Sequence, residues 1–556
     1  MKRFISVMAV LLIMTGSVFS GGRQSGASQT ADSGLTTLKV WGANRQGVSR
    51  VGTDVSETLQ DYYEGKVPSR IWDAFLAEMT RRGIKLEPDL VMTDQATTAF
   101  QTLLATGRFN NYDFVFVPEA ATVPAQMRYS LVNQGRLYPI NKAVEQYGKE
   151  SKDYFFARDS GKFFADMLTM ADGNFYWVPN LFELRYKEKD NLIHGTVFGH
   201  IRKDWLDALG LPMPKTPDEF FNAVKAFRDQ DINKNGLADE VISVDISSFG
   251  VFNGIPLWYG IGPGTYSLNG KALSAWYQPN VQEYFRFMNR LYSAGYIRTG
   301  GDTTDEFNNK IGYTARWLDN AGEANIVVPP GAKGAYWAPL QIEAVPGTTP
   351  VVWAGGGLGS GGDTLFIPSA SKNIDKVVSY IDWLVTDEYA DLIEWGIEGY
   401  TYTKAPDGRY VKIEPNPNLL EVDRLMFPAI WVWGVAPWMQ KRDAYHHVLS
   451  AAEEGKTIGY PEGFTLKLDF LDDYAGKRLY PLAGNDPTDS ATEAESARSA
   501  ELSPDINTYS SELATALVMG TKSLSNWDSY IADLKRLKLD ELIAILQAQL
   551  DRAAKK

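Results

Sequence analysis

The sequence predicts an α/β protein divided into more than one lobe. Three observations carry that expectation. The chain has 556 residues, more than one hydrophobic core usually serves, so it splits into two or more compact parts. From Leu35 to Lys149 strand-like runs alternate with amphipathic helical runs, the pattern of a parallel, doubly wound sheet. Beyond Thr508 the pattern becomes purely helical: Thr508–Met519, Trp527–Leu537 and Leu539–Ala554, the last with Leu542, Ile543, Leu546 and Leu550 on one face.

Composition narrows the function. The net charge of −13 argues against nucleic acid, which needs a basic surface. Cysteine is absent and there are four histidines, so disulfides, thiolate metal sites and a Cys nucleophile are excluded. The 15 Trp, 28 Tyr and 26 Phe suit a cleft in which rings stack on sugars, although most of these rings serve the core.

Met1 to Ser20 reads as a signal peptide. Lys2 and Arg3 give the charged start, Phe4 to Met14 an apolar run too short to span a bilayer, and Val18-Phe19-Ser20 places cleavage after Ser20. Residues 21–34 form a polar, Gly/Ser-rich tether.

Leu35 to Ala43 is the first strand, with Trp41 near its carboxyl end. Ligands meet open α/β sheets at that end, so Trp41 is a candidate platform, with burial as the alternative. Helices follow over Arg70–Arg82 and Asp94–Ala105, then a buried strand over Tyr112–Val117 with Pro118-Glu119 just past it. Gln95 and Glu119 are candidates for ligand hydroxyls, with ordinary loop polarity as the alternative.

The stretch from Gly199 to Ser243 is the most specific. Trp205, Leu206, Leu209 and Leu211 mark a short amphipathic helix that Gly210 ends. Thr216-Pro217-Asp218-Glu219 reads as a capping box opening a helix with Phe220, Phe221, Val224 and Phe227 at helical spacing. That helix runs into Asp231-Ile-Asn-Lys-Asn-Gly-Leu-Ala-Asp-Glu240, where oxygen side chains alternate before a Gly, as in the first half of a calcium loop. Asp231, Asn233, Asn235, the Leu237 carbonyl, Asp239 and Glu240 would supply an all-oxygen shell for Ca2+. Ile242 stands where an EF-hand has its last Glu, and a strand-like run replaces the exiting helix, so the expectation is a structural site rather than a regulatory one.

These motifs together, I-R-K-D-W-L-D-x-L-G-L, the Pro-rich spacer, T-P-D-E-F and D-x-N-x-N-G-x-x-D-E, resemble the large extracellular solute-binding proteins of ABC sugar importers, in the alginate/aldouronate-type branch for oligosaccharides. Trp395 to Tyr402 and Trp527 to Tyr530 match as well, and the resemblance extends from about Leu38 to the C-terminus. It implies a two-lobed periplasmic binding protein fold: lobe one over 35–180 and 311–365, lobe two over 181–310 and 366–556, the last segment including the C-terminal helices.

The resemblance further implies a first crossing between lobes at Asp172–Asn180 and a return crossing at Ile311–Trp317. Candidate ligand residues along these paths are Tyr176, Asn180, Arg185 and Trp317, with Arg202 as a further partner for a uronate. Aromatic loops add Trp258, Trp353 beside a glycine cluster, and Trp431 and Trp433; Glu398 and Tyr400 lie in the matched turn. Lipoprotein members carry a Cys after the signal peptide; Gly21-Gly22 here implies no lipid anchor and free diffusion in a periplasm. The implied protein is a monomer that binds an oligosaccharide, hands it to ABC permease subunits and touches no nucleic acid. The other reading is a secreted glycoside hydrolase or polysaccharide lyase using Glu119 and Glu398, but no nucleophile or metal-hydrolase motif accompanies them. A chemosensory role for a binding protein stays open beside transport.

Overall fold

The computed structural model describes residues 34–44, 68–117, 123, 125–170, 172–179, 181–185, 196–247, 249, 253–298, 309–317, 336–340, 342, 345, 347–348, 351–354, 364–406, 410–413, 416–420, 423, 439–443, 478–481 and 491–553. The segments read as a signal peptide and tether, together with Glu119, Asn180, Trp431 and Trp433, lie outside them. Among the described residues no helix is long and apolar enough to cross a membrane.

The first sheet has five strands in the order Ile84–Met92, Thr36–Asn44, Phe114–Val117, Thr364–Phe366 and Trp177–Pro179. Its first three strands pair parallel, and Thr364–Phe366 runs antiparallel between Phe114–Val117 and Trp177–Pro179. The central strand Phe114–Val117 is buried throughout, as the uninterrupted apolar run Phe-Val-Phe-Val requires in a sheet covered on both faces. Helices Arg70–Arg81 and Ile374–Leu384 bury Trp72, Phe75, Tyr380 and Trp383 in one aromatic core. Trp72 and Phe75 stack at 4.7 Å.

The second sheet has nine strands and is mixed. Its path runs Ile297–Arg298, Val241–Ser243, Ile311–Trp317, Thr196–Arg202, Val352–Ala354, Arg478–Pro481, Thr265–Leu268 and Lys271–Ser274, with Trp337–Leu340 also on Thr196–Arg202. A separate core fills this lobe, with Phe220, Val224, Phe227, Trp258, Tyr284, Met288 and Tyr313 at its centre and Leu513, Leu517, Leu534, Leu542 and Leu546 joining from the C-terminal helices.

Local signals formed as their chemistry requires. Thr216 caps the helix Pro217–Asp229 by accepting the Glu219 N–H at 3.1 Å. The Glu219 carboxylate reaches one residue past the cap and accepts the Lys215 N–H at 2.7 Å. Gly210 ends the helix Lys203–Ala208 with φ +66, a left-handed conformation that a Cβ disfavours.

The assignment of segments to lobes is corrected by the pairing. Ile311–Trp317, Trp337–Leu340 and Val352–Ala354 belong to the second sheet, whereas the resemblance implies lobe one for 311–365. Residues 364–400 pack in the first core, whereas the resemblance implies lobe two for 366–556. Strand periodicity shows that a run is a strand; only long-range pairing decides which sheet takes it. Among the described residues the chain passes from one sheet or core to the other between 179 and 196, between 354 and 364, and between 423 and 478. The start of the helix Glu493–Val518 touches the first lobe again, where Asn133 donates to Glu493 at 2.9 Å. Within the first and third crossings, Leu181–Arg185 and Met439–Asp443 pair as a parallel two-stranded ribbon.

One helix is longer than its apolar pattern predicts. Glu493–Val518 forms one 26-residue helix containing Pro504, where the pattern predicts a helix only from Thr508. A complete capping box at Thr492 and Glu495 starts it, and burial of Leu502 and Ile506 on either side of Pro504 compensates the lost N–H.

Candidate functional site

The carboxyl ends of the sheet strands, where open α/β sheets meet ligands, hold three of the predicted residues, Gln95, Trp317 and Trp353; Glu119 and Asn180 come next in sequence after Phe114–Val117 and Trp177–Pro179 but lie outside the described residues. Gln95 is exposed in the first turn of Thr93–Ala105, directly after the end of Ile84–Met92.

In the second lobe Trp317 is the last residue of its strand and pairs with Val197, while Trp353 pairs with Val197 from the other side. The two tryptophans thus stand in one cross-strand row, on the two strands that flank Thr196–Arg202 and run in the same direction. Their backbones, and that of Arg185 at the end of the ribbon strand opposite Asp443, are what the structure describes of these residues.

Other candidates are structural. Trp41 is 3% exposed and packs against Phe100 at 5.7 Å. Its strand extends to Asn44, so Trp41 sits three residues inside the carboxyl edge, beneath the helix Thr93–Ala105. Trp258 is fully buried, packed edge-on by Phe220 at 5.0 Å and Tyr313 at 5.7 Å, which leaves no face for a sugar. Its aromatic, Gly-rich context reads as a loop, but the chain turns there into the short helix Ile255–Trp258 directed at the core. Tyr176 is buried and donates its hydroxyl to Asp172 at 2.5 Å.

Tyr400 is also buried. It donates to Asp423 at 2.8 Å, accepts the Leu420 N–H at 2.8 Å, and lies under the Arg70 guanidinium at 4.1 Å. Glu398 is exposed and pairs with Lys404 at 3.8 Å. Arg202, considered for a uronate, is a buried structural cation. It holds Asp204 with two bonds at 2.8 and 2.6 Å and Asn309 with a third at 2.5 Å, and its guanidinium covers the Trp205 ring at 4.1 Å.

The loop at 231–240 brings all its predicted oxygen residues together. Asp231, Lys234 and Gly236 take positive φ, which folds the loop back on itself. The Asp231 carboxylate accepts the Asn235 and Gly236 N–H groups at 3.1 and 2.8 Å, and Asn235 Oδ1 accepts the Leu237 N–H at 2.8 Å. Glu240 is 1% exposed; its Oε1 accepts the Asn233 N–H at 3.2 Å, while its buried Oε2 has no hydrogen-bond partner. Burial pushes the Glu240 carboxyl up, and the charges of Asp239 and Asp231 add to the effect. Asp239 pairs with Lys310 at 2.7 Å and accepts the Asn235 amide at 3.0 Å. Burial also acts on Asp239, but these partners outweigh it and hold the carboxyl below its usual value. Among the described residues no three acidic or histidine side chains converge into a preformed cage.

Sequence reasoning passed over Arg128. It occupies the first turn of Ala125–Asn133, is 3% exposed, and places its guanidinium 4.9 Å from the Trp177 ring centroid. The signal was a cation among apolar neighbours (Met127, Tyr129, Leu131, Val132), which also fits a snorkelling surface residue.

Residues 68–391, which include strands of both sheets, match the bacterial extracellular solute-binding protein family. The chain belongs to that family. This solute-binding protein is 24% identical over 443 residues to the fructooligosaccharide ABC transporter substrate-binding protein FusA of Streptococcus pneumoniae serotype 4, covering 75% of this chain and 76% of FusA. It is 24% identical over 345 residues to the polygalacturonan/rhamnogalacturonan-binding protein YtcQ of Bacillus subtilis, covering 60% and 64% of the two chains. The structure of Streptococcus pneumoniae FusA solved with kestose superposes with a TM-score of 0.64 at 19% identity, over 94% of this chain and all of that one. The fold is therefore the two-lobed one of solute-binding proteins. The family binds solutes rather than transforming them, which removes the hydrolase reading of Glu119 and Glu398.

Proposed function

We propose that this protein captures an oligosaccharide between its two lobes and delivers it intact to the permease subunits of an ABC importer. The observation that carries the reading is two separately cored lobes between which the chain passes repeatedly, in a family of solute-binding proteins. Its curated relatives FusA and YtcQ are named for carbohydrate ligands. Closure about the crossings follows binding because only a solute touching both lobes favours the closed state. Trp317, Trp353, Trp431 and Trp433 would give apolar sugar faces their stacking partners, with Gln95, Glu119, Asn180 and Arg185 meeting the hydroxyl rim.

The chain acts as a monomer after export to the periplasm and removal of residues 1–20 as a signal peptide. The charged start, the short apolar run and the small or modest residues before Gly21 support the export and the removal.

The loop at 231–240 would hold Ca2+. The donor set is all oxygen, as a hard cation prefers, and the partnerless buried Glu240 Oε2 fits a coordinating role. Asp231, Asn233, Asn235, the Leu237 carbonyl, Asp239 and Glu240 would form the shell, with the Asn233 and Asn235 amides turning their oxygens inward. The ion would cross-link lobe two without touching the sugar.

The test is thermal unfolding of the mature protein against neutral and uronate oligosaccharides, followed by chromatography of each mixture. A solute at a hundred times its Kd should add about 2.7 kcal/mol of stability, and the sugar should be recovered at its original length. A shortened sugar, or no shift with any sugar, would contradict the proposal.

A further inference from the structure

We propose that Lys310 is the resident counter-charge of the 231–240 loop: its ammonium holds Asp239 when no ion is bound, and so sets how tightly the loop takes Ca2+. This rests on the reading of the loop as a Ca2+ site and adds to it a residue from another part of the chain.

The loop gathers three carboxylates, Asp231, Asp239 and Glu240, within ten residues. Glu240 is 1% exposed, and its Oε2 has no hydrogen-bond partner. Acids packed this closely repel one another unless a cation stands among them. Lys234, the cation within the loop, is exposed. Lys310 instead brings its Nζ to 2.7 Å from Asp239 Oδ2, with the two side chains 27% and 23% exposed. Water and salt therefore screen this pair less than one on the open surface.

Strand pairing delivers the ammonium. The strand Ile311–Trp317 runs parallel to Val241–Ser243 with Ile311 opposite Val241, so residue 310 arrives level with Glu240 and beside Asp239. The Lys310 carbonyl accepts the Val241 N–H at 3.0 Å. One residue earlier, Asn309 takes φ +56, and its Oδ1 accepts from the buried Arg202 at 2.5 Å. The backbone on both sides of Lys310 is thereby pinned.

An ion in the loop would have to share Asp239 with this ammonium. Asp239 Oδ1 already accepts the Asn233 and Asn235 amides at 3.4 and 3.0 Å, so the carboxylate stands between the loop's own oxygen donors and Lys310. Two cations on one partly buried carboxylate repel. Lys310 thus steadies the ion-free loop and opposes the ion that would replace it.

The experiment is calorimetric titration of Ca2+ into the metal-stripped full mature chain and its Lys310→Met, Lys310→Arg and Lys234→Met variants, with melting temperatures taken in EGTA. Lys310→Met should bind Ca2+ about tenfold more tightly and melt several degrees lower in EGTA. Lys310→Arg should keep both values near those of the unmodified chain, and Lys234→Met should move neither as far. Unchanged or weaker Ca2+ binding in Lys310→Met, or an equal gain in Lys234→Met, would overturn the inference and leave the Ca2+ loop standing. Acetylation of the Lys310 amine in the unmodified chain, read by mass spectrometry, tests the idea even if Lys310→Met fails to fold. That labelling should rise when Ca2+ is added, and labelling indifferent to Ca2+ would overturn the inference. An unmodified chain that takes up no Ca2+ would overturn both the inference and the Ca2+ reading of the loop.

Discussion

The Tyr400 hydroxyl donates to the Asp423 carboxylate at 2.8 Å, and the same carboxylate accepts Ser69 Oγ at 2.5 Å and the Arg70 N–H at 3.0 Å. One buried acid thereby ties the start of the helix Arg70–Arg81, the turn after Trp395 and the segment at Asp423 into a single knot. Tyr400→Phe removes one charge-assisted bond and leaves the Leu420 N–H without its acceptor. It should lower stability by about 1.5–3 kcal/mol in a denaturant titration. Sugar affinity should stay unchanged, because the hydroxyl is used inside the first lobe.

Trp317 and Trp353 flank Val197 in one row of the second sheet, so replacing either by Ala should weaken oligosaccharide binding by roughly tenfold, about 1.4 kcal/mol. Trp258→Ala should behave differently. That ring is fully buried between Phe220 and Tyr313, and its loss should cost about 3–5 kcal/mol of fold stability. Calorimetric titration beside thermal unfolding separates the two outcomes.

Much of the fold is legible in the sequence, and the parts that are not share a cause. Capping residues, left-handed glycines and helical stripes act within a few residues, so the helix Pro217–Asp229 and the end at Gly210 were readable. The 231–240 loop was legible as a cluster of oxygens for the same reason. Sheet membership was not, because Ile311–Trp317 has the same periodicity whichever lobe takes it. Trp41 and Trp258 read as platforms because an aromatic near a Gly or a strand end is equally apt for a cleft and a core, and Tyr400, a candidate through the matched turn, is buried as well. Arg128 was missed because burial of a cation has no local signature.

Removal of calcium should lower the melting temperature. EGTA-treated protein should melt several degrees below protein in excess Ca2+, and Asp231→Ala should abolish that difference. A melting temperature indifferent to EGTA, with no metal found by elemental analysis, would remove the ion from the account.

The first lobe should lose stability in acid. Burial tends to raise the Asp172 carboxyl, but its bonds from Tyr176 and Asn174 outweigh burial and hold it below the usual carboxylate range. A carboxylate with a depressed folded value stabilises the fold above its unfolded value and loses that contribution as pH falls through the folded one. Unfolding free energy should therefore drop below about pH 4, and Asp172→Asn should flatten that limb. An identical acid limb in the variant would contradict this assignment.

The central claim is capture by closure, and the absence of cysteine allows two introduced labels to report on it. Spin labels at Lys142→Cys on the first lobe and Glu283→Cys on the second sit on exposed helical positions. The measurement is the pulsed electron–electron distance between them, taken without sugar and with the oligosaccharide that raises the melting temperature most. Closure predicts a shorter and narrower distance distribution with sugar; an unchanged distribution at saturating sugar would contradict it.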